Sequence, residues 1–177
     1  MRVLIIGRFQ PFHKGHLELV KQATKKNEVI IGIGSTQESH KLANPFTAGE
    51  REEMIHECFN EERIFNYYLV PIPDIHRYAI WPSHVASLCP RFDIVLSNNP
   101  LTKNLFEEAS YEVESCKMLK REIYSGKEIR RRMISGEEWK SLVPIQVARI
   151  IEEIKGVERL KSINKKDWKT SKKVRIQ

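Results

Sequence analysis

A chain of 177 residues that is 41% hydrophobic and 30% charged holds enough apolar material for one core and points to a single domain. Its three cysteines, Cys58, Cys89 and Cys116, are odd in number and far apart; this excludes a disulfide framework and a zinc motif and points to a reducing cytoplasm. No apolar run approaches the roughly 20 residues of a membrane span, and the apolar start stops at Gly7, too early for a signal peptide.

Residues 3–6 form a continuous apolar run, which predicts a short buried strand ended by Gly7. A helix is expected over 14–25, a strand over 29–33 and a helix over 48–60, where Thr47 and Glu50 read as a capping box. Strands over 67–71, 94–96 and 111–114 alternate with helices over 82–88, 101–108, 126–135 and 144–154. Ser125 and Glu128 read as a second capping box, and Gly156 as the C-cap of the last helix. Strand-helix alternation predicts an α/β fold: a Rossmann-like, doubly wound parallel sheet of about five strands with helices on both faces. We divide the chain into an α/β domain, 1–156, and a basic C-terminal extension of the same domain, 157–177. Ligands of such sheets bind outside the carboxyl ends of the strands.

The informative cluster lies at such an end. Gly7-Arg8-Phe9-Gln10-Pro11-Phe12-His13-Lys14-Gly15-His16 follows the first strand and opens the first helix. Free N–H groups and the dipole at a helix start form a seat for phosphate, and this seat also carries Arg8, His13 and His16. Three other readings compete: a turn that needs its glycines only for shape, part of a metal site, and a dinucleotide-binding turn. No carboxylate or cysteine stands at ligand spacing beside the histidines, and the Gly-x-Gly-x-x-Gly fingerprint is missing. A phosphate-handling site fits best.

His13-Lys14-Gly15-His16 resembles the HxGH signature of the nucleotidyltransferases, and the longer run resembles the archaeal nicotinamide mononucleotide (NMN) adenylyltransferases. Pro45-Phe46-Thr47-Ala48-Gly49-Glu50-Arg51, Asp74-Ile75, Trp81, Ser97-Asn98-Asn99-Pro100 and the run from Tyr124 to Met133 follow in family order. The resemblance implies that AMP passes from ATP to NMN, giving NAD and pyrophosphate, with Mg²⁺ carried by ATP and no metal site of the protein's own. It implies His16, His13, Arg130 and Arg8 as catalytic residues. Gly7, Phe9, Gln10, Gly15, Asn99, Ser125 and Lys127 are implied at ATP, and Trp81, Phe12, Ser39, His40, Asp74 and Ile75 at NMN. It also implies a homo-oligomer, a hexamer by family. Three positions depart from the family: Lys127 replaces a threonine, Tyr78 an asparagine, and Ala43 an arginine, with Lys41 the nearest basic residue.

A second reading keeps the ATP chemistry and changes the acceptor to phosphopantetheine, flavin mononucleotide or the substrate of a CTP-using relative. A third looks to the C-terminus, where nine basic and two acidic residues between 155 and 177 carry the whole formal charge of +7. Such a tail is more commonly a solvated end or a subunit contact than a nucleic-acid binder, and we expect no nucleic-acid partner.

Overall fold

The computed structural model describes residues 1–116 and 122–174, with side chains of the C-terminal helix described through Lys165. The elements run β1 (Arg2–Gly7), α1 (Lys14–Ala23), β2 (Glu28–Ile33), α2 (Ala48–Glu61), β3 (Tyr67–Pro71), α3 (Trp81–Leu88), β4 (Ile94–Leu96), α4 (Pro100–Glu108), β5 (Glu112–Glu114), α5 (Gly126–Ser135), α6 (Ile145–Glu153) and α7 (Gly156–Val174). All strand pairs are parallel, in the order β3-β2-β1-β4-β5, with Val3 opposite both Val29 and Ile94. The chain winds from β1 out to β3, then crosses back to β4 and β5. The reversal leaves a crevice beside β1, where ligands of open α/β sheets bind.

Both faces of the central strands are covered, which explains their unbroken apolar runs. Ile5, Val29, Ile31 and Ile33 pack against α1, α2, α5 and α6, whereas Leu4, Ile30 and Val95 pack against Val85 of α3 and Phe106 of α4. Every element expected from periodicity is present, with ends shifted by one or two residues. Both Thr47–Glu50 capping bonds form, at 3.2 and 2.9 Å. Ser125 accepts the Glu128 N–H at 3.3 Å, but the Glu128 carboxylate turns away to Arg131 and Arg132. The second box is therefore half of one.

Two expectations at the C-terminus are corrected. Gly156 does not cap α6; it begins α7, and a Cβ there would stand 2.8 Å from the Phe46 ring. The basic extension starts as a docked helix, with Leu160 fully buried and Arg159 paired to Glu50 of α2 by two 2.7 Å bonds. Burial of an apolar stripe outweighs the charge that suggested a solvated end. The side chains from Lys166 onward, which hold five of the nine basic residues, lie outside the described residues. No described helix is long and apolar enough to cross a membrane.

Candidate active site

The loop between β1 and α1 folds around its two histidines. His13 is the N-cap of α1, and its Nδ1 accepts the His16 N–H at 3.3 Å. His16 Nδ1 accepts the His13 N–H at the same distance, and the rings stack with centroids 3.5 Å apart. A neutral imidazole that accepts at Nδ1 carries its proton on Nε2, so the reciprocal cap leaves each ring one outward donor. Both rings are neutral at pH 7: burial holds His13 at about 4, and burial with the neighbouring His13 holds His16 well below the ordinary value. These histidines are thus hydrogen-bond donors and not the positive charges suggested by their residue type.

Phe9 and Phe12 grip the His16 ring, at 4.9 and 5.5 Å between centroids. Phe12 is fully buried and also meets Phe59. It has no surface for a ligand, which corrects its expected place at NMN. Gln10 is buried too. Its amide is used on the main chain of Phe46, at 2.8 and 3.0 Å, while its carbonyl accepts Arg130 Nη1 at 2.6 Å. Gln10 shapes the loop and also lines the cavity between the starts of α1 and α5. A Cβ on Gly15 would stand 3.0 Å from Cβ of Tyr124, so glycine lets the N-termini of α1 and α5 approach.

Between these termini lies a cavity of about 280 Å³, lined by Phe9, His13, His16, Ser125, Lys127 and Arg130, with Arg8 at its edge. A larger cleft of about 490 Å³ lies beside it along the strand ends and holds Gly7, Ser35, Asp74, Tyr78, Trp81 and Asn99. Arg8 lines both. It is held by Asn44 at 3.3 Å. Burial and the charge of Arg8 lower the Arg130 guanidinium to about 10, so Arg130 remains a cation at pH 7. Two neighbouring arginines facing a cavity with two helix N-termini form a seat for a polyanion.

Asn99 belongs to the Trp81 cleft, not to the His16 cavity, and its Oδ1 caps α4 by accepting the Thr102 N–H at 3.2 Å. Ser39 and His40 bond to each other at 3.0 Å on an exposed loop, and with Ile75 they line neither cavity. The loop after β2 meets the larger cleft only at its start, through Gly34 and Ser35. Sequence reasoning gave no site role to His76, Arg77 and Thr102 in the larger cleft or to Tyr124 in the smaller one. The signal for the first three was nearness to quoted motifs, and for Tyr124 its place at the head of one. Arg131 and Arg132 turn to Glu128, and Arg131 also to Glu137, leaving Arg130 alone of the three at the cavity. Among the described residues no group of three or more histidine, cysteine or carboxylate side chains is arranged to hold a metal ion.

A parallel sheet with two helix N-termini converging on a cationic crevice suits a protein that handles nucleotide phosphates, and a family model described as cytidylyltransferase-like, the nucleotidyltransferase class, matches residues 4–132. The nicotinamide-nucleotide adenylyltransferase of Thermoplasma acidophilum is 52% identical over 167 residues, covering 94% of this chain and 93% of the relative. That of Picrophilus torridus is 53% identical over 168 residues, covering 94% and 99%. Among solved structures, a bifunctional NMN adenylyltransferase/ADP ribose pyrophosphatase from Francisella tularensis, complexed with AMP and a manganese ion, superposes with a TM-score of 0.77. It is 21% identical and shares the fold; the match covers 97% of this chain and 54% of that one, so this chain spans about half of that larger protein. The chain belongs to the cytidylyltransferase-like family and, within it, to the nicotinamide-nucleotide adenylyltransferases of archaea.

Proposed function

We propose that this chain transfers AMP from ATP to NMN, forming NAD and pyrophosphate in NAD biosynthesis. The observation that carries the reading is the shared wall: Arg8 lines both the cavity between the helix N-termini and the cleft that holds Trp81. ATP, with its Mg²⁺ as part of the substrate, occupies the cavity beside the histidines. Arg130, Lys127 and the free N–H groups opening α1 and α5 hold its phosphates. NMN lies in the larger cleft with its cationic ring on the Trp81 face and its phosphate directed at Arg8.

An oxygen of the NMN 5′-phosphate attacks the α-phosphorus of ATP. The new O–P bond forms as the bond from that phosphorus to the bridging oxygen breaks, and pyrophosphate leaves with the electron pair. The nucleophile is an anion already, so no general base is needed. The protein aligns two anions and stabilises the spreading charge. His16 donates from Nε2 to the α-phosphate as charge grows there, and His13 donates towards the β- and γ-phosphates. A neutral donor suits this role, because it stabilises developing charge without holding the ground-state phosphate as strongly as a cation would.

Assembly into a homo-oligomer, a hexamer by family resemblance, and a cytoplasmic location belong to the same reading. Light scattering of the purified chain tests the assembly. The function itself is tested by initial rates with ATP, Mg²⁺ and each of NMN, nicotinate mononucleotide, phosphopantetheine and flavin mononucleotide, following pyrophosphate and the adenylylated product. The reading expects NAD and pyrophosphate in equal amounts from NMN. Pyrophosphate release with phosphopantetheine or flavin mononucleotide, and none with NMN, would overturn the assignment of the Trp81 cleft.

A further inference from the structure

Arg51 of α2 is fully buried, and its guanidinium is directed entirely at main-chain carbonyls. Nε donates to Thr47 at 3.1 Å, Nη1 to Arg8 at 2.8 Å and Gly34 at 2.7 Å, and Nη2 to Ser35 at 3.2 Å. Arg8 and Gly34 are the first residues beyond the paired strands β1 and β2, and the Gly34 N–H makes the last bond between them, to Gly7 O at 2.9 Å. Past that bond the two loops part to form the crevice. Arg51 ties them together at the point where they separate.

The charge on this clamp needs a reason. Burial, with the nearby charge of Arg8, lowers the guanidinium to about 10, and the nearby acids Asp74 and Glu50 only partly offset this. Neither acid pairs with it. Asp74 accepts the Ser35 hydroxyl at 2.5 Å, and Glu50 is taken by Arg159 and Thr47. An unpaired buried cation is costly when only structural bonds are at stake. A planar fork with five donors is nonetheless the one side chain that can reach four carbonyls in three segments at once. Three of those carbonyls belong to residues that line the larger cleft, Arg8, Gly34 and Ser35, and Arg8 also lines the cavity beside His16.

We infer that Arg51 is a positioning residue for the transfer: it fixes the separation of the β1 and β2 loops, and with it the distance between the acceptor phosphate and the ATP α-phosphate. The inference rests on the adenylyl-transfer reading. A shift of about 1 Å in that distance costs on the order of 10²-fold in rate while each substrate still binds. Arg51→Lys, which keeps the charge and part of the bonding, and Arg51→Met are compared with the parent and with Val147→Ala, a core truncation in α6 that lines neither cavity. The kcat is expressed per folded molecule, with the folded fraction taken from circular dichroism at the assay temperature.

The expected order is parent, then Arg51→Lys about tenfold lower in kcat, then Arg51→Met about 100-fold lower, with the KM for ATP and for NMN each within about threefold. Val147→Ala, though less stable, keeps its kcat per folded molecule. A kcat within about threefold of the parent in both Arg51 variants overturns the inference and leaves the activity standing. So does a matching loss in Val147→Ala, or failure of both Arg51 variants to fold, since Arg51 is then needed for the fold alone. A parent chain that makes no NAD overturns the adenylyl-transfer reading and this inference with it.

Discussion

The His13–His16 pair shows how a residue type alone misleads about charge. Two histidines beside arginines suggest cations; the folded loop buries both rings, uses each Nδ1 to cap α1 and leaves them neutral, with Nε2 donors turned outward. Truncating His16→Ala removes one preorganised donor and is expected to lower kcat by about 10²-fold, with little change in either KM; steady-state kinetics checks this. The low pKa values also couple to stability. Between about pH 6.5 and 4 the unfolded chain binds protons that the folded imidazoles refuse, so stability falls as the pH drops through that window. Urea unfolding from about pH 7.5 to 4.5 should show this loss, and His13→Asn, which keeps an N-cap side chain, should flatten it. In the larger cleft, Trp81→Ala is expected to raise the KM for NMN by roughly tenfold through the lost cation–π contact, leaving the KM for ATP unchanged.

At the scale of elements, patterns that depend on neighbours in sequence were readable. The apolar run ended by Gly7, the Thr47–Glu50 box and the Ser125 cap fix where β1, α2 and α5 start or stop, and each rests on contacts within four residues. What depended on distant partners was not readable. Gly156 looks like a helix stop, yet it is glycine because Phe46, 110 positions away, leaves no room for a Cβ. Glu128 looks like half of a capping box, yet Arg131 and Arg132 claim it. Arg159 belongs to a charged tail by composition, but it reaches the Pro45 carbonyl at 3.1 Å and Glu50, and so holds α7 against the loop that supports Gln10. This pair is mostly shielded from solvent, with side chains 19% and 17% exposed. Arg159→Ala is therefore expected to cost about 2 kcal/mol in urea unfolding, the scale of a lost charge-assisted bond. A double-mutant cycle with Glu50→Gln should recover much of that as coupling.

For the molecule as a whole, alternating strands and helices sufficed to give the parallel sheet, and the strand-end rule placed the cleft. The division of the cleft was the part that needed coordinates. The resemblance implies Asn99 at ATP; the order β3-β2-β1-β4-β5 sets it, after β4, in the cleft that also holds Trp81. Arg8, which follows β1 at the point of reversal, is the residue common to both cavities. The central claim is that this shared wall lets the NMN phosphate meet the ATP α-phosphate directly, with no group of the protein bonded to AMP in between. The stereochemistry at phosphorus tests it most directly. ATP made chiral at the α-phosphorus is turned over with NMN, and the configuration of the AMP phosphorus in the NAD product is read. One direct displacement inverts the centre, which is the result this account predicts. Retention would mean two displacements through a covalent enzyme intermediate, and would contradict it.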